Sequence, residues 1–151
     1  MKSYGKYSLK GLAESEEQIA RIYSDLGDKA SLDNIRMFLT TFAKGHENIA
    51  AYLEESNVRK GDIRQQTGRY RNIHATDHLA MNEEVDLGNL QSVLLFISKT
   101  ESDSLHEYER VAERIKDAGR TKLLEAVRSE KSAMAAKADR LYFDFIESHV
   151  S

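Results

Sequence analysis

Four ionisable side chains stand at positions where helix packing calls for an apolar residue. His46 lies in the stretch FAKGHENIAAYL, and Glu16, Glu101 and Glu130 interrupt apolar stripes in three other segments. An isolated buried carboxylate is costly, so such a group normally becomes neutral or finds a cation. Carboxylates and a neutral imidazole together suit iron, manganese or zinc. The pattern therefore predicts that these four side chains share a metal ion.

In the first three segments the stripes advance by alternating intervals of four and three residues, which is the rhythm of a helix-packing seam, and the fourth segment repeats the pattern less regularly. In chain order they are Leu12, Glu16, Ile19, Tyr23 and Leu26; Ile35, Leu39, Phe42, His46, Ile49 and Leu53; Leu94, Ile97, Glu101, Ser104 and Tyr108; and Leu123, Val127, Glu130, Met134 and Ala138. The alternative interpretation is that a stripe is misread by one position, in which case its glutamate faces solvent. Because four segments repeat the interruption, we favour the metal site.

Four helices must position these residues. Helical periodicity runs from about 8 to 28, from about 31 to 57 and from about 87 to a break at Gly119. After this break, Thr121 is the predicted N-cap of a fourth helix that ends near 149. Both breaks are short, so we expect two antiparallel hairpins, about 8–57 and 87–149, joined by a crossover at about 58–86. This is the ferritin-like version of the all-α four-helix bundle, in a single domain of residues 1–151. An up-down bundle with short loops fits less well.

Composition narrows the chemistry further. The chain of 151 residues has no cysteine, which excludes disulfides, thiolate zinc sites and iron–sulfur clusters. It has neither an apolar signal core nor a membrane-spanning run, so we expect a cytoplasmic protein without a membrane partner. Its net charge of −3 gives no general attraction to nucleic acid or anionic lipid.

Two short segments carry an internal repeat. EEQIARIY places Glu16 seven residues before Tyr23, and ESDSLHEY places Glu101 seven residues before Tyr108, so each pair shares one helix face. In these motifs, and over nearly its whole length, the chain resembles the rubrerythrin branch of the ferritin-like superfamily. The resemblance implies that both glutamates bind metal, iron above all and as a di-iron pair in the family, while the two tyrosines hydrogen-bond beside the site.

The family's Glu-x-x-His motifs are incomplete in this chain. On the second helix the motif reads AKGH, with Ala43 before His46, and on the fourth it reads EKSA, with Glu130 before Ala133. The resemblance thus implies a ligand set of Glu16, Glu101, His46 and Glu130, which could hold one metal, or two completed by water. The loss of two of six ligands argues against a full peroxidase or ferroxidase.

Two functions follow from the resemblance. One is a metal-binding protein, either a non-haem iron oxidoreductase acting on peroxide or oxygen with a separate electron donor, or a storage or sensing protein. The other is a non-enzymatic helical dimerisation or partner-binding protein whose metal site has decayed and holds no metal. By analogy with the family, either would form a homodimer.

The crossover contains two weaker signals. His74 and His78 in HATDH are four residues apart and could grip a metal, but no helical pattern supports them. RKGDIRQQTGRYR clusters five basic residues around Tyr70, a mixture used on nucleic acid. For both stretches we favour a solvated connection, and we expect no nucleic-acid partner.

Overall fold

The computed structural model describes residues 8–59 and 85–148, and within these ranges all regular secondary structure is α-helical. The helices are α1 Leu9–Lys29, α2 Asp33–Arg59, α3 Leu90–Arg114 and α4 Ala118–Ser148. Within these ranges, the four helices confirm the predicted all-α class. Most of the predicted crossover, including His74, His78 and the basic stretch after Arg59, lies outside the described residues.

Local hydrogen bonds explain where several helices begin. Ser8 caps α1, because its hydroxyl accepts a hydrogen bond from the Gly11 amide at 3.0 Å. Asn89 caps α3 in the same way, through the amide of Ser92 at 3.2 Å. The prediction that Thr121 caps the fourth helix is wrong. α4 begins at Ala118, and the Asp117 carboxylate accepts a hydrogen bond from the Arg120 amide at 3.0 Å.

Two apolar clusters at opposite ends of the bundle define the helix directions. The first combines the C-terminal halves of α1 and α4 with the N-terminal halves of α2 and α3. The second combines the opposite halves of the same helices. α1 and α2 are therefore antiparallel, as are α3 and α4, while α2 and α3 run in the same direction. The end of α2 and the start of α3 consequently lie at opposite ends of the bundle.

The buried stripes of α1, α2 and α3 follow the predicted register. On α2, four stripe residues have no exposed surface, namely Ile35, Leu39, His46 and Leu53, and Phe42 and Ile49 are nearly as buried. The predicted stripe of α4 is right at Val127 and Ala138, which are buried, but wrong at two positions, because Leu124 is buried rather than Leu123 and Lys131 rather than Glu130. A helix advances about 100° per residue, so a shift of one position exchanges an inward residue for an outward one. Lys131 therefore faces the core, and Glu130 is exposed.

Candidate functional site

The middle of the bundle holds four buried ionisable side chains, one from each helix. Glu16 comes from α1, His46 from α2, Glu101 from α3 and Lys131 from α4. Their exposed fractions are 1% for Glu16 and 0% for the other three. Three of the four residues predicted as ligands thus lie together, and the fourth member of the cluster is a lysine that the predicted stripes did not include.

His46 bridges the two carboxylates. Its Nδ1 contacts Glu16 Oε1, and its Nε2 lies 2.6 Å from Glu101 Oε2. A neutral imidazole has only one N–H donor, so facing two carboxylate oxygens requires both nitrogens to be protonated. Burial and the nearby Lys131 lower the pKa of His46, but the two carboxylates raise it further, and the net shift is upward. His46 is therefore best described as an imidazolium held between two anions.

Lys131 completes the charge balance. Its Nζ lies 2.9 Å from Glu16 Oε2 and 5.4 Å from the centre of the Tyr108 ring, where a cation–π contact adds to the ion pair. The same Nζ is 3.4 Å from His46 Nδ1. Because Nδ1 donates its proton to Glu16, this contact brings two positive groups together. The Glu16 carboxylate, which both groups contact, offsets their repulsion. Two anions and two cations thus make a cluster with no net charge.

Both carboxylates stay ionised in this setting. Burial alone would raise the pKa of Glu16, but Lys131, then His46 and the hydrogen bonds it receives lower that pKa to about 2. Burial would also raise the pKa of Glu101. The positive charges of His46 and, to a smaller extent, Lys131 outweigh this effect, so the pKa of Glu101 is lowered as well.

Two tyrosines fix the carboxylates from the other hairpin. Tyr23 on α1 donates its hydroxyl to Glu101 Oε2 on α3 at 2.8 Å, and Tyr108 on α3 donates to Glu16 Oε2 on α1 at 2.6 Å. Each tyrosine therefore serves the glutamate of the other repeat. Burial, reinforced by the adjacent carboxylate, raises the pKa of both tyrosines well above the ordinary value, so both remain neutral donors.

The residues as arranged do not fit a metal ion. Both nitrogens of His46 contact carboxylates. Glu16 Oε2 already pairs with the Lys131 ammonium and accepts a hydrogen bond from the Tyr108 hydroxyl. A metal bound there would have to displace the ammonium and break an imidazolium–carboxylate bond. Glu101 Oε1 is buried without a hydrogen-bond partner among the described residues, but one free oxygen is not a coordination sphere. Across residues 8–59 and 85–148, no set of three or more acidic or histidine side chains is disposed to hold a metal.

The fourth predicted ligand lies elsewhere. Glu130 is exposed and lines a surface cavity between α2 and α4, and Ala133 is exposed as well. The inward-facing pair spaced by three residues on α4 is Lys131 and Met134, with Met134 partly buried against both apolar clusters. These two residues, rather than Glu130 and Ala133, occupy the places that a Glu-x-x-His motif would need in order to reach the cluster.

One signal in the sequence could have revealed Lys131. Leu124, Val127, Lys131, Met134 and Ala138 keep the three-four rhythm without a break. Lysine is almost never fully buried without a partner, so a search for apolar stripes passes over it. The partners that make its burial tolerable come from other helices, and no local pattern contains them.

Comparison with protein-family models, with curated proteins and with solved structures finds no match to this chain. Of the described helices, none has the length and apolar character that crossing a membrane would require.

Proposed function

We propose that this chain is a ferritin-like four-helix protein whose buried centre carries an internal cation, Lys131, in place of a metal ion, and that it acts by associating with a partner rather than as an enzyme. The parallel direction of α2 and α3 supports the ferritin-like arrangement, since two hairpins with a short link would make these helices antiparallel. The crossed Tyr–Glu hydrogen bonds support the repeat on which the resemblance rests.

The observation that carries the proposal is the ion pair between Lys131 and Glu16. An ammonium 2.9 Å from the carboxylate, with both groups buried, neutralises the charge that a metal ion would otherwise have to neutralise. Because His46 supplies a second positive charge, the cluster is balanced without any added cation. Its role in this proposal is to hold the two hairpins in one register, which is the best-attested use of buried polar groups.

Exposed apolar side chains support the association. Four large ones among the described residues lie at the end of the bundle formed by the first apolar cluster: Leu32, Met37, Leu95 and Phe143. Phe143 is 61% exposed and Met37 is 58% exposed. We propose that these four side chains form one contact surface and that the partner is a second copy of the chain.

Elemental analysis tests the internal cation. We expect protein purified from cultures supplemented with iron, manganese and zinc to contain no stoichiometric metal, and its thermal unfolding to be unchanged by added metal. Stoichiometric metal that disappears in the Glu16→Ala or Glu101→Ala variant would overturn the proposal. Glu47→Ala serves as a matched control, because this glutamate is exposed on α2 one residue after His46.

A metal-dependent oxidoreductase is the second candidate. It is favoured by the convergence of Glu16, His46 and Glu101 with a tyrosine on each carboxylate, as the resemblance implies. It would require Lys131 to leave the cluster on metal loading, with electrons coming from a separate donor. Peroxide consumption by the reduced, iron-loaded protein above that of free iron would establish it, and its absence would leave the non-enzymatic proposal standing.

A further inference from the structure

A cavity of about 380 Å³ lies on the surface between α2 and α4, beside the charge cluster but outside it. Its walls include Gly45, Ile49 and Tyr52 from α2, and Val127, Glu130 and Met134 from α4. The volume is within the range of small-molecule sites, roughly 300 to 1,000 Å³. This cavity contains the one residue that the sequence marked as a ligand and that the central cluster does not use.

Two positions on the cavity wall carry little or no side chain. Gly45 has none, and a Cβ added there would lie 2.9 Å from Met134 Cε, so Met134 already fills the space closest to the α2 backbone. Ala126, which also lines the cavity, adds only a methyl group. The buried side chains of Ile49 and Val127, exposed by 8% and 3%, give the interior an apolar surface.

The mouth of the cavity has a different character. Tyr52 is 45% exposed and Glu130 is exposed, so both can meet solvent and a ligand at once. Among the residues that line the cavity, Glu130 is the only one with a formal charge at neutral pH. The adjacent Lys131 is buried and paired with Glu16, so it does not present its charge there. An apolar interior beneath a carboxylate and an aromatic ring is complementary to an organic cation.

We propose that this cavity binds a small organic ammonium compound. Its apolar body would enter between Ile49 and Val127, and its ammonium group would pair with Glu130 at the mouth, next to Tyr52. This site goes beyond the proposed function, because none of the residues that line it belongs to the charge cluster or to the four exposed apolar residues of the proposed interface.

Titration with a matched pair of probes tests the site. We expect 2-phenylethylammonium to bind saturably, with a dissociation constant on the order of 1 mM for so small a ligand, and 3-phenylpropanoate to bind far more weakly. Chemical shifts of Gly45, Ile49 and Val127 should move with the ammonium probe. Equal binding of the two probes, or no saturable binding of either, would overturn the proposal.

Variants on the exposed side of α4 sharpen the test without disturbing the core. Glu130→Gln should weaken ammonium binding about fivefold, since a partly exposed ion pair is lost. Glu125→Gln is the matched control, as this glutamate is exposed on the same helix and does not line the cavity. Glu130→Lys should reverse the preference toward 3-phenylpropanoate, and Ala126→Leu should reduce binding of both probes by filling the cavity. Equal effects of the Glu130→Gln and Glu125→Gln variants would contradict the assignment.

Discussion

Lys131 has no exposed surface in the middle of the bundle. A lysine with no exposed surface is tolerable only if its charge is compensated, and here Glu16 lies within ion-pair distance while the Tyr108 ring lies close by. Removing one partner of a buried pair leaves the other charge uncompensated, which costs more than the pair itself contributes. The lysine is therefore a structural requirement of this core as long as Glu16 is present.

The first prediction concerns the removal of this cation. Lys131→Met should lower the free energy of unfolding by about 3 to 5 kcal/mol, because Glu16 is left buried with less compensation. The double variant Lys131→Met with Glu16→Gln should recover part of the loss, since the uncompensated charge is gone. Urea denaturation measures both. Lys137→Met, an exposed lysine on the same helix, is the control, and equal stability of the Lys131→Met and Lys137→Met variants would refute the role given to Lys131.

The second prediction concerns pH. The pKa of Glu16 falls from 4.5 to about 2 on folding, so its contribution to stability is present above pH 4.5 and is lost as the pH falls toward 2. The pKa of His46 is raised above 6.5, so its contribution is complete below pH 6.5 and is lost as the pH rises through the folded-state value. Stability should therefore be highest between about pH 4.5 and 6.5.

Denaturation series across pH would reveal both limbs of this profile. Glu16→Gln should flatten the acid limb relative to the wild type, whereas the exposed Glu125→Gln should leave it in place. A wild-type stability that increases steadily from pH 6.5 to pH 9 would be incompatible with an imidazolium between two carboxylates.

At the level of helices, α4 differs from the other three in how weakly its sequence specifies an inward face. Adjacent pairs such as Leu123 and Leu124, or Ala126 and Val127, offer apolar side chains in more than one direction. Either register would bury apolar surface, so the choice depends on what the neighbouring helices present. Glu16 and the ring of Tyr108 accept an ammonium, and this favours the register that turns Lys131 inward.

The third prediction tests which positions of α4 face the cluster. It compares a Glu-x-x-His motif placed at positions 131 and 134 with one placed at positions 130 and 133. Combining Ala43→Glu, Lys131→Glu and Met134→His would give a Glu-x-x-His motif on the inward faces of both α2 and α4, and we expect stoichiometric binding of manganese or iron. Ala133→His alone completes the same motif with Glu130 in the sequence, but both positions are exposed, so no tight site should form. Elemental analysis with circular dichroism as a check on folding distinguishes them. Tight binding by the Ala133→His variant alone would show that the register described here is incorrect.

For the whole molecule, the two hairpins are joined in the middle by polar contacts and at either end by apolar ones. Between α1 and α3, side-chain hydrogen bonds run from Tyr23 to Glu101, from Tyr108 to Glu16 and from Ser15 to Glu107. The apolar clusters lie on each side of this layer along the bundle. Such an arrangement fixes the hairpins against sliding, because a shift would separate the charged partners before it exposed apolar surface.

The fourth prediction concerns association at the apolar end. We expect the wild-type chain to have twice the mass of one chain in light scattering, and Phe143→Glu to reduce that mass to a single chain by placing a charge in the interface. Tyr52→Glu is the control, since this exposed aromatic residue lies outside that end of the bundle. A wild-type monomer, or equal dissociation by both variants, would rule out the proposed interface.

For the part of the chain that the structure describes, the sequence by itself determined the helical class, the four helices and the inward faces of α1, α2 and α3. In those three helices the apolar stripes are regular, so only one rotation of each helix buries them. Glu16, His46 and Glu101 lie on the same stripes and are therefore buried as well. Only the tertiary structure decided the rotation of α4 and the identity of the fourth charged residue. The reason is physical: a lysine becomes compatible with a core only through carboxylates that other helices bring to it, and those contacts are between residues distant in sequence. The same rotation turned Glu130 outward, where it lines the cavity between α2 and α4.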